Sequence, residues 1–184
     1  ILIIDRLPPM VGGNIVSIGP QVVYPGSHGE MVTLAGFDQK ITLSSVGGST
    51  TIDLLAHSSG EAGSGQANPS TPFSRSGQVF SLVKDIDSSL WYGTMNFSTP
   101  GVYQVNSRAV DGTNKVTKRT LNPIIALPKG KVINQKSGGA VSGAKITLFY
   151  QEPRSKFWLV WDAKSFGQNN PQITNSKGEY TLFV

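Results

Sequence analysis

Short segments of alternating polar and apolar residues recur along the first two thirds of the chain, and most are rich in β-branched or aromatic side chains. A period of two places alternate side chains on opposite faces of a strand. Turn-forming residues, mainly Gly, Pro, Asp, Asn and Ser, separate the segments. No run of ten residues has convincing helical periodicity, so we expect an all-β fold with at most a turn or two of helix. The pattern predicts strands at residues 31–35, 40–44, 51–55, 78–83, 90–97 and 102–110.

The composition fits strands joined by many turns. The 184 residues include 21 Gly and 11 Pro, and 38% are hydrophobic. Such a mixture argues against helical bundles, which need many strong helix formers, yet it leaves enough apolar side chains for a core. The chain has no Cys, which excludes disulfides and thiolate chemistry.

Two stretches interrupt the alternating pattern. The run from His57 to Gly77 contains no Val, Ile, Leu or Met, which predicts a long, mobile loop. In residues 122–128, two prolines bracket four apolar residues, which predicts a last strand followed by a stiff linker. We therefore expect an N-terminal strand and linker at 1–12, a sandwich at 13–127, and a second sandwich at 128–184.

Residues 129–184 carry an ordered set of turn and strand motifs. Gly143-Ala-Lys-Ile-Thr-Leu148 follows a Gly-rich turn, and Thr174-Asn-Ser-Lys-Gly-Glu-Tyr-Thr-Leu182 has the residues of a tight hairpin. These motifs resemble the carboxypeptidase regulatory-like domain, a small transthyretin-like sandwich of extracellular proteins. The resemblance implies fold and an extracellular or cell-surface location, and it implies almost nothing about activity.

Residues 13–127 resemble, more loosely, an immunoglobulin-like domain of bacterial surface proteins. The resemblance lies in Trp91–Phe97, in the Pro-Gly-x-Tyr turn at 100–103, and in the strand after that turn. In such sandwiches the Tyr anchors a corner. The expected architecture is two tandem β-sandwiches, immunoglobulin-like and then carboxypeptidase-regulatory-like.

The two ends of the chain suggest pairing with another molecule. The transthyretin-like family usually continues into a further strand where this chain stops at Val184, so we expect an unpaired edge in the second sandwich. Ile1, Leu2, Ile3 and Ile4 form an apolar segment suited to a strand, and two prolines at 8–9 separate it from the first sandwich. Either that segment belongs to a preceding domain, or it is donated to the exposed edge of another copy.

Charge is distributed unevenly. Residues 1–114 carry eight acidic and five basic side chains, whereas residues 115–184 carry three acidic and eleven basic ones. Opposite signs at the two ends favour head-to-tail contacts between copies. The basic residues are spread over several predicted strands, so we do not expect nucleic acid as a partner, and no apolar run approaches the length of a membrane span.

Few residues suggest catalysis. His28 and His57 lie in Gly- or Ser-rich stretches, and no nucleophile or metal-binding motif surrounds them, so we expect no enzymatic activity. Asp85 and Asp87 fall on one face of a strand end, where Asp111–Asn114 could add oxygen ligands for calcium. The alternative is that both carboxylates are simply solvated.

Trp158 is the most promising binding residue. Aromatic side chains around it are interleaved with Lys145, Arg154, Lys156 and Lys164, an arrangement that can stack on bases or sugars. The alternative is a core role, with Phe157, Leu159 and Trp161 facing inward while Trp158 and Val160 cover the other face.

These observations leave three functional hypotheses. The first is a non-catalytic structural or adhesive segment of a secreted or cell-surface modular protein, assembling into a filament by strand addition. The second is an accessory domain pair of a secreted peptidase or glycosidase whose catalytic domain lies elsewhere. The third is a carbohydrate-binding module that uses Trp158.

Overall fold

A computed structural model of the chain describes residues 8–58 and 77–184. The segment Ile1–Ile4 and most of the predicted long loop lie outside the described residues. The predicted all-β class is confirmed, because 52% of residues are in strands and 2% are helical. The strands are β1 Met10–Ile18, β2 Gln21–Val23, β3 Met31–Leu34, β4 Gln39–Val46, β5 Ser49–Ser58, β6 Gln78–Lys84, β7 Trp91–Met95, β8 Gly101–Asp111, β9 Val116–Thr120, β10 Ile124–Leu127, β11 Gly130–Lys131, β12 Lys145–Ile146, β13 Phe149–Gln151, β14 Trp158–Val160, β15 Gln172–Ile173 and β16 Glu179–Tyr180.

The front unit, residues 10–127, is a nearly closed sandwich or barrel. Its strands follow the order β2-β1-β4-β7-β6-β5-β8-β10-β3, and β9 lies beside β8 in line with β10. All neighbours are antiparallel except β3 and β10, which are parallel. The first and last strands of this order, β2 and β3, also contact each other. All six predicted strands are present, with bounds shifted by a few residues.

Alternation explains why these segments form the sheet. In β8, every second side chain from Tyr103 to Asp111 is buried while those between them are more exposed. Inward-facing residues of all the long strands meet in one core, which includes the fully buried Phe97 and Leu43. The Phe97 ring lies 4.3 Å from that of Tyr103, centroid to centroid. The Tyr103 hydroxyl donates to the carbonyl of Thr99 at 2.8 Å, which anchors Tyr103 to the turn before β8.

The front unit has two distinct ends. At the first, which we call the proline end, Pro9 lies against the Gly47 turn between β4 and β5. The turn after β6 lies at this end as well, because Lys84 pairs with Trp91, which in turn pairs with Leu43 near the end of β4. The turn after β8 also lies here, because the end of β8 pairs with the start of β5. The opposite end, the tail end, holds Gly19, Gly36 and the exit of β10.

The rear unit, residues 128–184, is built differently. It consists of three short two-stranded ladders, β11–β16, β12–β15 and β13–β14, with one 3-10 turn at Lys164–Phe166. The predicted tight turn before β16 is present, with Gly178 at φ +72° and its N–H donating to Asn175 O at 2.9 Å. Ala163 is the one buried hydrophobic residue among the described residues of this unit. The rear unit therefore lacks an apolar core of its own in the part of the chain that the structure describes.

The rear unit contacts the front unit at the tail end. A Cβ atom on Gly19 would lie 2.7 Å from the carbonyl oxygen of Phe166, and one on Gly36 would lie 3.0 Å from Lys129 Cε. Phe183, near the last strand, packs against the front core. These contacts attach the rear unit to the end of β1 that lies farthest from Pro9.

Candidate binding surface

The hairpin formed by β13 and β14, which we call the ribbon, exposes every side chain of its two strands. Phe149 and Val160 are directly opposite each other on one face, and Tyr150 and Leu159 are opposite each other on the other. Trp158, on the face of Phe149, is 67% exposed. Monomeric proteins seldom expose large contiguous apolar patches, and such patches mark interaction sites.

The expectation that Phe157 and Leu159 face a core is wrong. Their side chains do alternate with Trp158 and Val160, as predicted, but Phe157 is 71% exposed and Leu159 42% exposed. The reason is that no second apolar layer lies over this face among the described residues. Trp161, the third member of the predicted set, is partly covered because it stacks on Phe166 at 5.2 Å.

One edge of the rear unit has no strand beside it in the part of the chain that the structure describes. Along residues 144–152, the even-numbered residues direct their backbone groups toward β14 and β15. Thr174 N–H donates to Ala144 O at 2.9 Å, Trp161 N–H to Leu148 O at 3.0 Å, and Glu152 N–H to Phe157 O at 2.9 Å. In an extended strand the intervening residues point to the opposite side. The N–H and C=O groups of the odd-numbered residues 145–151 therefore face outward, and we call this the open edge.

Side-chain amides hold the ribbon in place where ladder hydrogen bonds are missing. The Oδ1 atom of Asn170 accepts from Leu148 N–H at 2.9 Å, and its Nδ2 donates to Leu148 O at 2.8 Å and to Trp161 O at 2.9 Å. One amide thus spans the base of the hairpin, and it supplies partners for Leu148 N–H and Trp161 O.

Two further amides on the same segment clamp the end of the chain. Gln168 accepts from Phe183 N–H at 2.8 Å and donates to Phe183 O at 2.7 Å. Gln172 makes the same pair of bonds with the backbone of Thr181. The two glutamines thus bind the segment of Thr181 and Phe183, whereas Asn170 between them binds Leu148 and Trp161. Their pattern, Gln-x-Asn-x-Gln, is visible in the sequence, but alternating polar residues there give no reason to expect backbone pairing.

A polar cleft of about 500 Å³ lies next to these clamps. Lys164 and Asn169 border it, together with Pro171, Ile173 and Thr181. The amide groups of Asn170 and Gln172 are engaged by the backbone, so Lys164 is the one charged side chain that lines the cleft among the described residues. The cleft holds little else that is chemically reactive.

The aspartates that suggested calcium lie in turns at the proline end. Asp85 Oδ2 accepts from the Ser88 hydroxyl at 2.6 Å, and its Oδ1 accepts from Asp87 N–H at 3.1 Å. These hydrogen bonds, the one from Ser88 foremost, lower the pKa of Asp85. No group of three or more His, Asp or Glu side chains that could hold a metal occurs in the described ranges. The structure thus gives the Asp85 carboxylate a turn-capping role, and calcium binding by Asp85 and Asp87 stays a prediction.

Asp111 caps the turn between β8 and β9. Partial burial alone would raise its pKa, but hydrogen bonds from the hydroxyl and N–H of Thr113 and from Lys115 N–H outweigh this effect and lower the pKa. All three donors reach the same oxygen, Oδ1, at 2.8 to 2.9 Å. This geometry favours a structural role in the hairpin over metal binding.

The two histidines remain apart from any catalytic arrangement among the described residues. The ring of His28 is in hydrogen-bonding distance of the neighbouring Ser27 hydroxyl, at 3.1 Å. His57 lies in β5 opposite Gln104. Neither is paired, within the described ranges, with a carboxylate that would orient it as a general base.

No known protein-family model matches this chain, and no curated protein matches it significantly. Among the described residues, none of the helical turns is long and apolar enough to cross a membrane. The two family resemblances therefore rest on the motifs alone.

Proposed function

We propose that the chain is a non-catalytic structural or adhesive segment of a secreted or cell-surface modular protein, and that copies assemble head-to-tail by strand addition. The observation that carries this proposal is the ribbon, which leaves Phe149, Tyr150, Phe157 and Trp158 in solvent beside an edge that lacks a neighbouring strand among the described residues. A bare apolar edge promotes aggregation unless another chain covers it. Strand addition satisfies both the backbone groups and the apolar faces at once.

The proposal includes the finer fold assignment. The front unit is an immunoglobulin-like sandwich, which is supported by its nearly closed, sandwich-like sheet and by the hydrogen bond from the Tyr103 hydroxyl to Thr99 O. The rear unit is a carboxypeptidase-regulatory-like sandwich, which is supported by the turn at Gly178 and by the motif at Gly143–Leu148. Both resemblances imply extracellular or cell-surface proteins, which agrees with a structural role.

Two measurements on the purified chain test this function. Sedimentation velocity from low micromolar to near-millimolar concentration should show reversible association that grows beyond a dimer. A broad hydrolase screen should show no turnover. A chain that stays monomeric throughout, or that turns over a substrate reproducibly, contradicts the proposal.

Carbohydrate binding is a second candidate that one observation favours. Trp158 is 67% exposed, and its neighbours on the ribbon provide an apolar platform. Aromatic rings of this kind can stack on sugars. Retention on a glycan array that is lost in Trp158→Ala but kept in Phe157→Ala would support it, whereas the absence of any glycan binding by the unmodified chain would rule it out.

A further inference from the structure

We infer that the turn of the ribbon docks onto a membrane surface that contains anionic lipids. The contact is made by residues 152–158, which we call the tip. This inference goes beyond the proposed function, because it concerns the turn of the hairpin, whereas strand addition concerns the open edge. It follows from three features of the tip: apolar side chains on both faces, exposed cations, and a backbone that satisfies its own hydrogen bonds.

Apolar side chains lie on both faces of the ribbon at its tip. Phe157 and Trp158 are consecutive, so they lie on opposite faces, and both are exposed. Behind them, Leu159 on the face of Phe157 and Val160 on the face of Trp158 are exposed as well. A flat partner, such as a sheet or a sugar chain, covers one face, whereas a lipid surface surrounds a protruding tip on all sides. Trp side chains are also enriched at membrane–water interfaces, where their rings lie at the level of the headgroups.

Two cations lie beside these rings. Arg154 and Lys156 are exposed, and the described residues supply neither with an ion-pair partner. Lys156 has φ +63°, in the left-handed region where Gly is the usual residue, and such a departure often accompanies a function. Each Lys or Arg close to an anionic lipid surface strengthens binding by about fivefold. Long basic side chains can place their charges at the lipid phosphates while their stems lie along apolar surface.

The one acidic side chain of the tip is engaged within the turn. The carboxylate of Glu152 accepts hydrogen bonds from Ser155 and from the N–H of Arg154, and these bonds, those from Ser155 foremost, lower its pKa. The negative charge of Glu152 is therefore directed at the backbone of the turn, while the positive charges of the tip are exposed. An anionic surface that approaches the tip meets the cations first.

The backbone of the tip satisfies its own donors. The N–H groups of residues 154 and 155 bind the Glu152 carboxylate, as described above. Glu152 N–H donates to Phe157 O at 2.9 Å, and Lys156 N–H donates to Glu152 O at 2.9 Å. Phe157 N–H donates to the Ser155 hydroxyl at 3.4 Å. Unpaired backbone groups are costly where water is scarce, so these internal bonds allow the tip to enter the headgroup region. The open edge behind the tip still needs water or another strand, which limits the depth to that region.

Co-sedimentation of dilute protein with lipid vesicles tests this inference on the unmodified full chain. It should bind vesicles of equal parts phosphatidylcholine and phosphatidylglycerol at least about tenfold more strongly than vesicles of phosphatidylcholine alone. Added salt should weaken this binding, because salt screens the charges. Binding that is absent, or that is equal for the two lipid compositions, overturns the inference without the need for any variant.

A matched pair of double variants locates the charge contact. Arg154→Gln with Lys156→Gln removes both cations of the tip, whereas Lys136→Gln with Lys177→Gln removes the same charge from exposed positions elsewhere in the rear unit. We expect the tip variant to bind the anionic vesicles at least about tenfold more weakly than the control variant. Equal losses in the two variants would mean that any basic surface of the rear unit serves, and the inference would be overturned.

A second pair of variants locates the apolar contact. Trp158→Ala removes an exposed ring from the tip, and Tyr24→Ala removes an exposed ring from the front unit. We expect Trp158→Ala to weaken binding to the anionic vesicles by at least about fivefold and Tyr24→Ala to leave it unchanged. If Trp158→Ala abolishes binding to a glycan but not to the vesicles, the tip recognises sugar and the inference is overturned.

The outcomes are distinguishable from those of the proposed function. Assembly is judged by sedimentation velocity without lipid, so a chain that stays monomeric refutes strand addition and leaves the vesicle result standing. A chain that assembles but ignores anionic vesicles refutes docking of the tip and leaves the structural function standing. Unchanged circular dichroism of each variant confirms that folding is intact.

Discussion

Replacing Asn170 with alanine should release the ribbon from the rest of the rear unit. The side chain of Asn170 makes three hydrogen bonds to the backbones of Leu148 and Trp161, at 2.8 to 2.9 Å. A net value of about 1 kcal/mol for each bond, reduced because Asn170 is only half-buried, gives a cost of about 2–3 kcal/mol. That cost corresponds to about a 30- to 150-fold increase in local opening of the hairpin base.

Amide hydrogen exchange measures this effect directly. In Asn170→Ala, the Leu148 amide should exchange faster by the same factor as the increase in opening, while the amides of the front core keep their protection. The control is Asn169→Ala, which removes the same side chain one residue earlier from an exposed position. Equal exchange at Leu148 in the two variants would refute the idea that side-chain amides replace a missing ladder.

Three further predictions concern stability. Phe97→Ala should lower the free energy of unfolding by about 3–5 kcal/mol, because Phe97 is fully buried in the core, whereas the exposed Phe157→Ala should change it by less than about 0.5 kcal/mol in urea denaturation. Phe183→Ala should lower the urea midpoint of the front unit as well as loosen the rear unit, because Phe183 packs against the front core; an unchanged front unit would show that the two units are energetically independent. The lowered pKa of Asp111 means that its contribution to stability is present above the ordinary carboxyl pKa of 3.8 and is lost as the pH falls through the lower folded-state value. Asp111→Asn keeps an acceptor oxygen but does not titrate, so the free energy of unfolding of this variant, measured in urea, should decline less on acidification than that of the unmodified chain. Parallel declines in the two proteins would contradict this role of Asp111.

The front unit was predictable because one physical rule determines most of it. Strands such as β8 bury alternate side chains in a shared core, so the pattern from Tyr103 to Asp111 is written directly in the sequence. The pairing order of the strands was not predictable in the same way. It depends on contacts between distant segments, such as the parallel pairing of Met31 with Ile124, that leave no local signature.

The rear unit was harder to predict because its structure depends on side-chain hydrogen bonds rather than on burial. Alternation around Trp158 fits the strand that forms there, but it also implied a core that the described residues do not supply. The exposure of Trp158 was predicted as one of two alternatives. An unpaired edge somewhere in the rear unit was expected from the family resemblance. Its location at 145–151 became clear only from the directions in which the backbone groups of Leu148 and Glu152 form hydrogen bonds.

The most direct test of strand addition is residue-resolved amide exchange along 145–151, measured by NMR on dilute and on concentrated protein. In dilute protein, the inward-facing amides of residues 146, 148 and 150 should be protected, and those of 145, 147, 149 and 151 should exchange freely. When the protein is concentrated, the amides of residues 145, 147, 149 and 151 should become as protected as those of residues 146, 148 and 150. If the complex forms while the amides of Thr147 and Phe149 continue to exchange freely, the open edge is not where the molecules join.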